Sequence, residues 1–339
     1  MAPQHNKTLI TGILSRETLI NRNGDVFVDH PGGNLLYTAF AYQLFGNDAG
    51  LAASISEDYP QDWVDAIRGK GFNVSGIHRR PFVFDDREFF ALPASGEKHK
   101  QNPQYFFAEA QLPFPKNLLG YQSSSLSEVD KKDSGSSFSL KPDDLPDECF
   151  DVNFLYLGPI DYFTHNLFTT YYRSNHRGNI IINPSEGYMQ PSWFYDLPPL
   201  FRGNLAVVTT EKKIKRLFAG RSEDLWEMAA HLGSMGVEIV VITNGENGQL
   251  VLNQSAHLKY EIPAYPVPCI VDDIGVNEAF AGGFLAGFIK YFDPLQAALI
   301  GNITASAKVE GSKPDYLLEA LPDLLEARLE VIRERIKQI

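Results

Sequence analysis

Three short stretches hold the residue types that can do chemistry. DDIGVNEAFAGG, residues 272–283, is a glycine-containing turn that runs into a helix of small residues. A helix N-terminus offers free N–H groups and the positive end of the helix dipole, so it favours a phosphate. Gly275, Val276 and Asn277 would form that anion hole, and Glu278 stands where it could take a proton from a bound hydroxyl. A helix capped by Asn277, with a favourable glutamate in its first turn, explains the same residues equally well. HPGGN, residues 30–34, sets paired glycines ahead of a second helix. Such a pair lets a ligand approach the backbone, although a tight turn is the plainer reading. VVITNGENGQLVL, residues 240–252, ends a strand at Thr243 and brackets a turn with Gly245 and Gly248. Ligands gather at the carboxyl ends of parallel strands, but a hairpin turn accounts for this pattern by itself.

The elements around these stretches alternate. KTLITGIL reads as a buried strand, PGGNLLYTAFAYQLFG as an apolar helix, AGLAASIS as a strand and PQDWVDAIRGKG as a helix. VNFLYLGPI, GNIIINPS, NLAVVTT and VEIVVITNG read as further strands, with helices in LFTTYYRSN and SEDLWEMAAHLGSMG. QLVLNQ and HLKYEIPAYP form a hairpin, and CIV before the 272–283 turn is strand-like. Helices follow over 278–291 and 295–307, then a terminal helix interrupted by Pro322. This alternation predicts βαβ units on a parallel sheet, an α/β fold. ETLINRNGDVFVDH alternates around NGD as a hairpin, and 76–113 is aromatic and β-branched without a helical period. Strands within about 17–31 and 76–113 are therefore expected to leave the main sheet as antiparallel strands of a small β lid. Residues 121–144, rich in serine and charge, are expected to be a flexible, exposed insert in one domain spanning 1–339.

Bulk properties narrow the partners. The 339 residues carry 42 acidic and 30 basic side chains, a net charge of −12. That balance disfavours nucleic acid and anionic membrane surfaces, while local N–H groups still allow small anionic ligands. No apolar run approaches a membrane span, and the N-terminal stretch lacks a signal-peptide pattern, so a soluble cytoplasmic protein is expected. The two cysteines, Cys149 and Cys269, have no metal-site spacing and read as buried or inert thiols.

Taken together, PGGN, TNGENG and DDIGVNE fall in an order and spacing that resembles the ribokinase, or PfkB, carbohydrate kinase family. The resemblance covers nearly the whole chain. It implies a ribokinase-like three-layer α/β/α sandwich with a small β-sheet lid, present as a monomer or a lid-mediated homodimer. It also implies ATP and Mg²⁺ as cofactors and a small sugar or nucleoside as acceptor. Glu278 matches the family's catalytic aspartate, and Gly275, Val276 and Asn277 match its anion hole. Glu17, Gly32, Gly33 and Asn34 fall at the acceptor-binding positions. Thr243, Gly245 and Gly248 fall beside the nucleotide, as does Asn302 in NITASAKVEG. Thr210 and Lys213 align with the ends of the family's N-x-x-E motif, which helps to organise magnesium. The metal ligands themselves are not assigned.

The departures gather on chemical positions. Glu278 is one methylene longer than aspartate, and misplacing a catalytic group by about 1 Å can cost on the order of 100-fold in rate. Val276 and Asn277 make the cradle bulkier. Lysine at 213 cannot support a magnesium shell as a carboxylate does, though it could neutralise phosphate directly. Two functions fit the resemblance: ATP-dependent phosphorylation of a hydroxyl, at full or weakened activity, or a catalytically impaired pseudokinase that binds sugar or nucleotide. A dinucleotide-dependent oxidoreductase ranks below both, because no G-x-G-x-x-G follows the first strand.

Overall fold

The computed structural model describes residues 8–46, 48–94, 96–123, 130–176 and 178–339. Strands β1 (Thr8–Thr11), β4 (Ala49–Ile55) and β5 (Asn73–Arg79) form one wing of a parallel sheet. The lid strands β2 (Ser15–Ile20), β3 (Val26–Gly32) and β6 (Arg87–Ala91) stand apart. The sheet continues through β7 (Phe154–Leu157), β8 (Asn179–Ile182), β9 (Ala206–Thr210) and β10 (Ile239–Thr243). It closes with antiparallel β11 (Gln249–Asn253), β12 (Leu258–Ile262) and β13 (Lys337–Gln338). The strand order is β13-β12-β11-β10-β9-β8-β7-β1-β4-β5.

Alternation along each strand builds two cores. Ile10, Val208 and Val241 face one side; Leu9, Val207, Val240 and Ile242 face the other. The first side is covered by α1 (Asn34–Gln43) and α2 (Gln61–Gly69). It also holds α8 (Val276–Tyr291), α9 (Pro294–Lys308) and α10 (Pro322–Arg333). The second is covered by α4 (Tyr162–Asn175), α5 (Leu197–Phe201), α6 (Glu211–Leu217) and α7 (Leu225–Ser234). The result is the expected three-layer α/β/α sandwich with a separate small sheet.

The small sheet has the order β3-β2-β6. Its inner residues Leu19, Phe90 and Leu92 pack on Tyr37 and Ile274, which sets it over the 272–275 turn. Its outer residues Ile20, Phe89 and Ala91 pack on Phe107 and Leu118.

Several expectations need correction. Among the described residues of 76–113 only β6 is a strand of the lid, and it pairs with β2 in parallel. Residues 76–79 lie on β5, the edge of the main sheet beside β4. The helix α3 (Pro103–Glu109) covers the lid instead of extending it. An aromatic-rich run marks burial but does not say in which sheet, and Pro103 at the first helical position was the overlooked start signal. In the 121–144 segment, residues 124–129 lie outside the described residues, and the expectation of exposure fails for part of the remainder. Phe138, Ser139 and Leu140 are buried, and Asp161 accepts bonds from Ser136 N and Oγ. Sparse apolar content hid two good anchors. Pro322 does not interrupt a helix but begins α10, since its missing N–H costs nothing there. The CIV stretch forms no strand. Of the two thiols, Cys149 is buried and Cys269 exposed. No helix among the described residues is long and apolar enough to cross a membrane.

Candidate active site

The turn at 272–275 is shaped by its own polar groups. Asp272 Oδ1 accepts from Ile274 N at 2.7 Å, and the N–H groups of Val271 and Asp272 both donate to Val309 O. Gly275 then caps α8 at φ 75°, a left-handed value that side chains resist. A Cβ added there would fall 2.2 Å from Cγ of Tyr37, so the turn is also pressed against α1. The first backbone bond of α8 runs from Ala279 N to Gly275 O. The amides of Val276, Asn277 and Glu278 precede it and have no partner within the helix, as at any helix start. Glu278 is partly exposed at this end, and Asn277 more so.

Asn277 is not the expected cap: Gly275 holds that position, no side chain caps the helix, and Asn277 lies inside its first turn. Its Oδ1 accepts from the Thr243 hydroxyl at 3.0 Å, which joins the end of β10 to the start of α8. Two of the sequence-selected turns are thus one structure. Gly245 and Gly248 complete the second of them at positive φ. A cavity of about 480 Å³ flanks this turn, walled by Trp226, Asn244, Asn247, Gln249 and Arg335; it does not include Glu278. The site is therefore defined by converging groups rather than by that cavity. Asn302 sits nearby, but its side chain is engaged: Oδ1 accepts from Tyr265 N and Nδ2 donates to Pro263 O.

Lys213 enters from the first turn of α6, where Thr210 accepts from its backbone N–H as the N-cap. Its Nζ is buried and donates to Asn183 Oδ1 at 2.9 Å and Pro184 O at 2.8 Å. Burial lowers its pKa, against the upward pull of Glu278 and Glu186. Burial pushes Glu186 up in turn, but the Lys212 and Lys213 ammoniums outweigh it and hold the carboxyl below its usual value. The ammonium thus lies in the field of both carboxylates.

Beside the glycine pair, Glu17 is buried. Its Oε1 accepts from Gly33 N at 2.7 Å and its Oε2 from the Tyr37 hydroxyl at 3.0 Å. Burial raises its pKa to about 7 despite these two bonds. Gly32 and Gly33 lie against it at the end of β3, with Gly33 at φ 95°. Asn34 braces the turn, accepting from Ile13 N and donating to Pro159 O. Glu17 and Asn34 therefore hold the glycine pair in place through contacts within the chain.

Sequence reasoning missed Asn183, Glu186, Tyr37, Asp272 and Lys308. One signal was available: Asn183-Pro-Ser-Glu186 follows a strand and is itself an N-x-x-E pattern. Among the described residues no three His, Cys, Asp or Glu side chains gather as a metal cage. Magnesium bound through phosphates and water needs only one or two carboxylates, and the half-buried Glu186 beside Lys212 and Lys213 suits that smaller role.

Residues 187–320, which include the turn, Glu278 and Lys213, match the family described as pfkB family carbohydrate kinase. The match spans those residues and not the whole chain. The chain is 26% identical to a cytidine kinase of Thermococcus kodakarensis over 286 residues, 83% of this chain and 88% of that protein. A Burkholderia thailandensis nucleoside kinase solved with inosine covers 96% of both chains at TM-score 0.64 and 17% identity. A putative ribokinase II of E. coli, solved with ATP and Mg²⁺, covers 96% of this chain and 99% of its own at TM-score 0.70 and 14% identity. At those identities the two structures speak for the fold, which is ribokinase-like.

Proposed function

We propose that the protein is an ATP-dependent kinase that phosphorylates a hydroxyl of a small sugar or nucleoside, with nucleosides the class to test first. The observation that carries this reading is the meeting, at the start of α8, of three unpaired amides, the Glu278 carboxylate and the electrostatic reach of Lys213. Glu278 accepts the acceptor's hydroxyl proton as the oxygen attacks the γ-phosphorus. The bond to the β-phosphate oxygen breaks, and ADP leaves with those electrons. The amides of residues 276–278 and the Lys213 ammonium stabilise the charge on the transferring phosphoryl group. Magnesium, when bound with ATP, would supply further neutralisation of the phosphates, with Glu186 as the protein carboxylate to hold it through water. Glu17, Gly32, Gly33 and Asn34 shape the acceptor side, and Thr243, Gly245, Gly248 and Asn302 shape the nucleotide side. The nucleoside preference draws support from the cytidine kinase relative. The test is purified protein with ATP, Mg²⁺ and a panel of nucleosides and sugars. Phosphorylated product with stoichiometric ADP is expected; no ADP above background would refute the proposal.

One feature favours a second reading, binding without efficient turnover. Asn277 is tied up with Thr243, and Val276 adds bulk beside the cradle. In a disabled scaffold, the triple change Val276→Ala, Asn277→Gly and Glu278→Asp should raise turnover greatly. Wild-type turnover equal to that of the triple variant would exclude this reading.

A further inference from the structure

The buried ion pair beneath the 272–275 turn has no part in the scheme above. Lys308 ends α9, and Asp272 opens the turn; both are 0% exposed. The ammonium donates to Asp272 Oδ2 at 3.1 Å and to Gly311 O at 3.0 Å, with Asp272 O at 3.5 Å. It lies 5.4 Å from the centre of the Tyr37 ring. That ring blocks any side chain at position 275, and its hydroxyl donates to Glu17. A single cation thus touches the turn, the chain after α9 and the aromatic ring that separates the turn from the acceptor carboxylate.

A buried pair is a poor device for stability alone, since two desolvated charges often do no better than well-packed apolar residues. It is a good device for fixing geometry. An ammonium has three donors and here meets three oxygens, two of them on the residue that starts the turn. Asp272 uses its other oxygen to hold Ile274 N, so the position of the carboxylate sets the path of the backbone into Gly275.

We propose that Lys308 is a positioning residue: its ammonium, through Asp272, holds residues 271–275 in the one path that presents the Val276–Glu278 amides and Glu278 to the phosphate. This rests on the reading of that turn as the phosphate cradle. The role differs from that of Lys213, which reaches toward the charge itself. Lys308 touches no substrate and acts through the backbone.

The test compares wild type with Lys308→Met and with the double variant Lys308→Met/Asp272→Asn. The single change leaves a buried carboxylate unpaired and can compromise folding. The double change removes both charges yet keeps an oxygen for Ile274 N, so it should fold. A loss of kcat of about 100-fold is expected in the double variant, the cost of displacing a catalytic group by about 1 Å. KM for ATP and acceptor should stay within about threefold, because the binding groups remain. Hydrogen exchange at residues 271–274 should accelerate while peptides in α4 and α7 keep wild-type protection. A folded double variant with kcat within twofold of wild type and unchanged exchange at 271–274 overturns the proposal. Should the wild type show no turnover, the kinase reading fails separately, and the exchange measurement still decides the role of Lys308.

Discussion

Replacing Gly275 with alanine should be among the most damaging single-methyl changes in this molecule. The residue sits at φ 75°, where a Cβ costs about 1–2 kcal/mol. The new methyl would meet Cγ, Cδ1 and Cδ2 of Tyr37 at 2.2–2.6 Å. These atoms are the root of the ring, not its flexible end, so a rotamer change cannot clear them cheaply. The ring is also held at its far side by the bond to Glu17 and on its face by Lys308. Overpacking of this kind adds about 1–3 kcal/mol. The sum, about 2–5 kcal/mol, should appear as a fall in the denaturant midpoint with an unchanged m-value. Backbone movement of about 1 Å at the turn should also lower kcat on the order of 100-fold. In a Tyr37→Ala background, itself destabilised by the cavity it leaves, Gly275→Ala should cost only the dihedral share of about 1–2 kcal/mol, because the clash is gone. The reasoning is refuted if Gly275→Ala unfolds at the wild-type denaturant concentration, or if it costs as much in the Tyr37→Ala background as in the wild type.

Two other perturbations read separate parts of the site. Glu17 is buried with its pKa raised from 4.5 to about 7, so its neutral form is favoured by folding. The stability this confers is full below about 4.5 and is lost as pH rises through about 7, by roughly 3 kcal/mol at 1.4 kcal/mol per unit. Glu17→Gln should remove that slope, so its stability relative to wild type should increase between pH 4.5 and 8 in parallel urea titrations; equal slopes would contradict the burial argument. Lys213→Met should lower kcat on the order of 10–100-fold, the scale of losing one charged stabiliser, and should also cost about 1–3 kcal/mol of stability, because Asn183 Oδ1 and Pro184 O lose their donor. Unchanged kcat at saturating ATP would remove Lys213 from the transfer step.

The parallel α/β architecture and all three glycine turns were legible because each leaves a local trace: alternation, a cap, a pair of glycines. Asn277 reads as a cap in sequence, yet its partner Thr243 stands 34 positions earlier. Lys308 meets Asp272 across 36 positions, and the late-helix pattern gives no hint that one lysine turns inward. Glu17 was read as a group for the acceptor because its type and position allowed it. Only the fold reveals that Gly33 and Tyr37 already occupy both of its oxygens. The parallel pairing of β6 with β2 was hidden for a related reason, since partner choice in a sheet is a long-range property that side-chain composition does not encode.

The helix that carries Glu278 is wedged between two others. At Gly282 and Gly283 of α8 an added Cβ would fall 2.1 Å from Thr38 O of α1 and 2.2 Å from Thr304 Oγ1 of α9. Backbones this close leave α8 no room to slide or roll without breaking the core. A methyl group at either position would have to push a neighbouring helix aside, so the place of the 272–275 turn at the head of α8 is set by what these two residues lack.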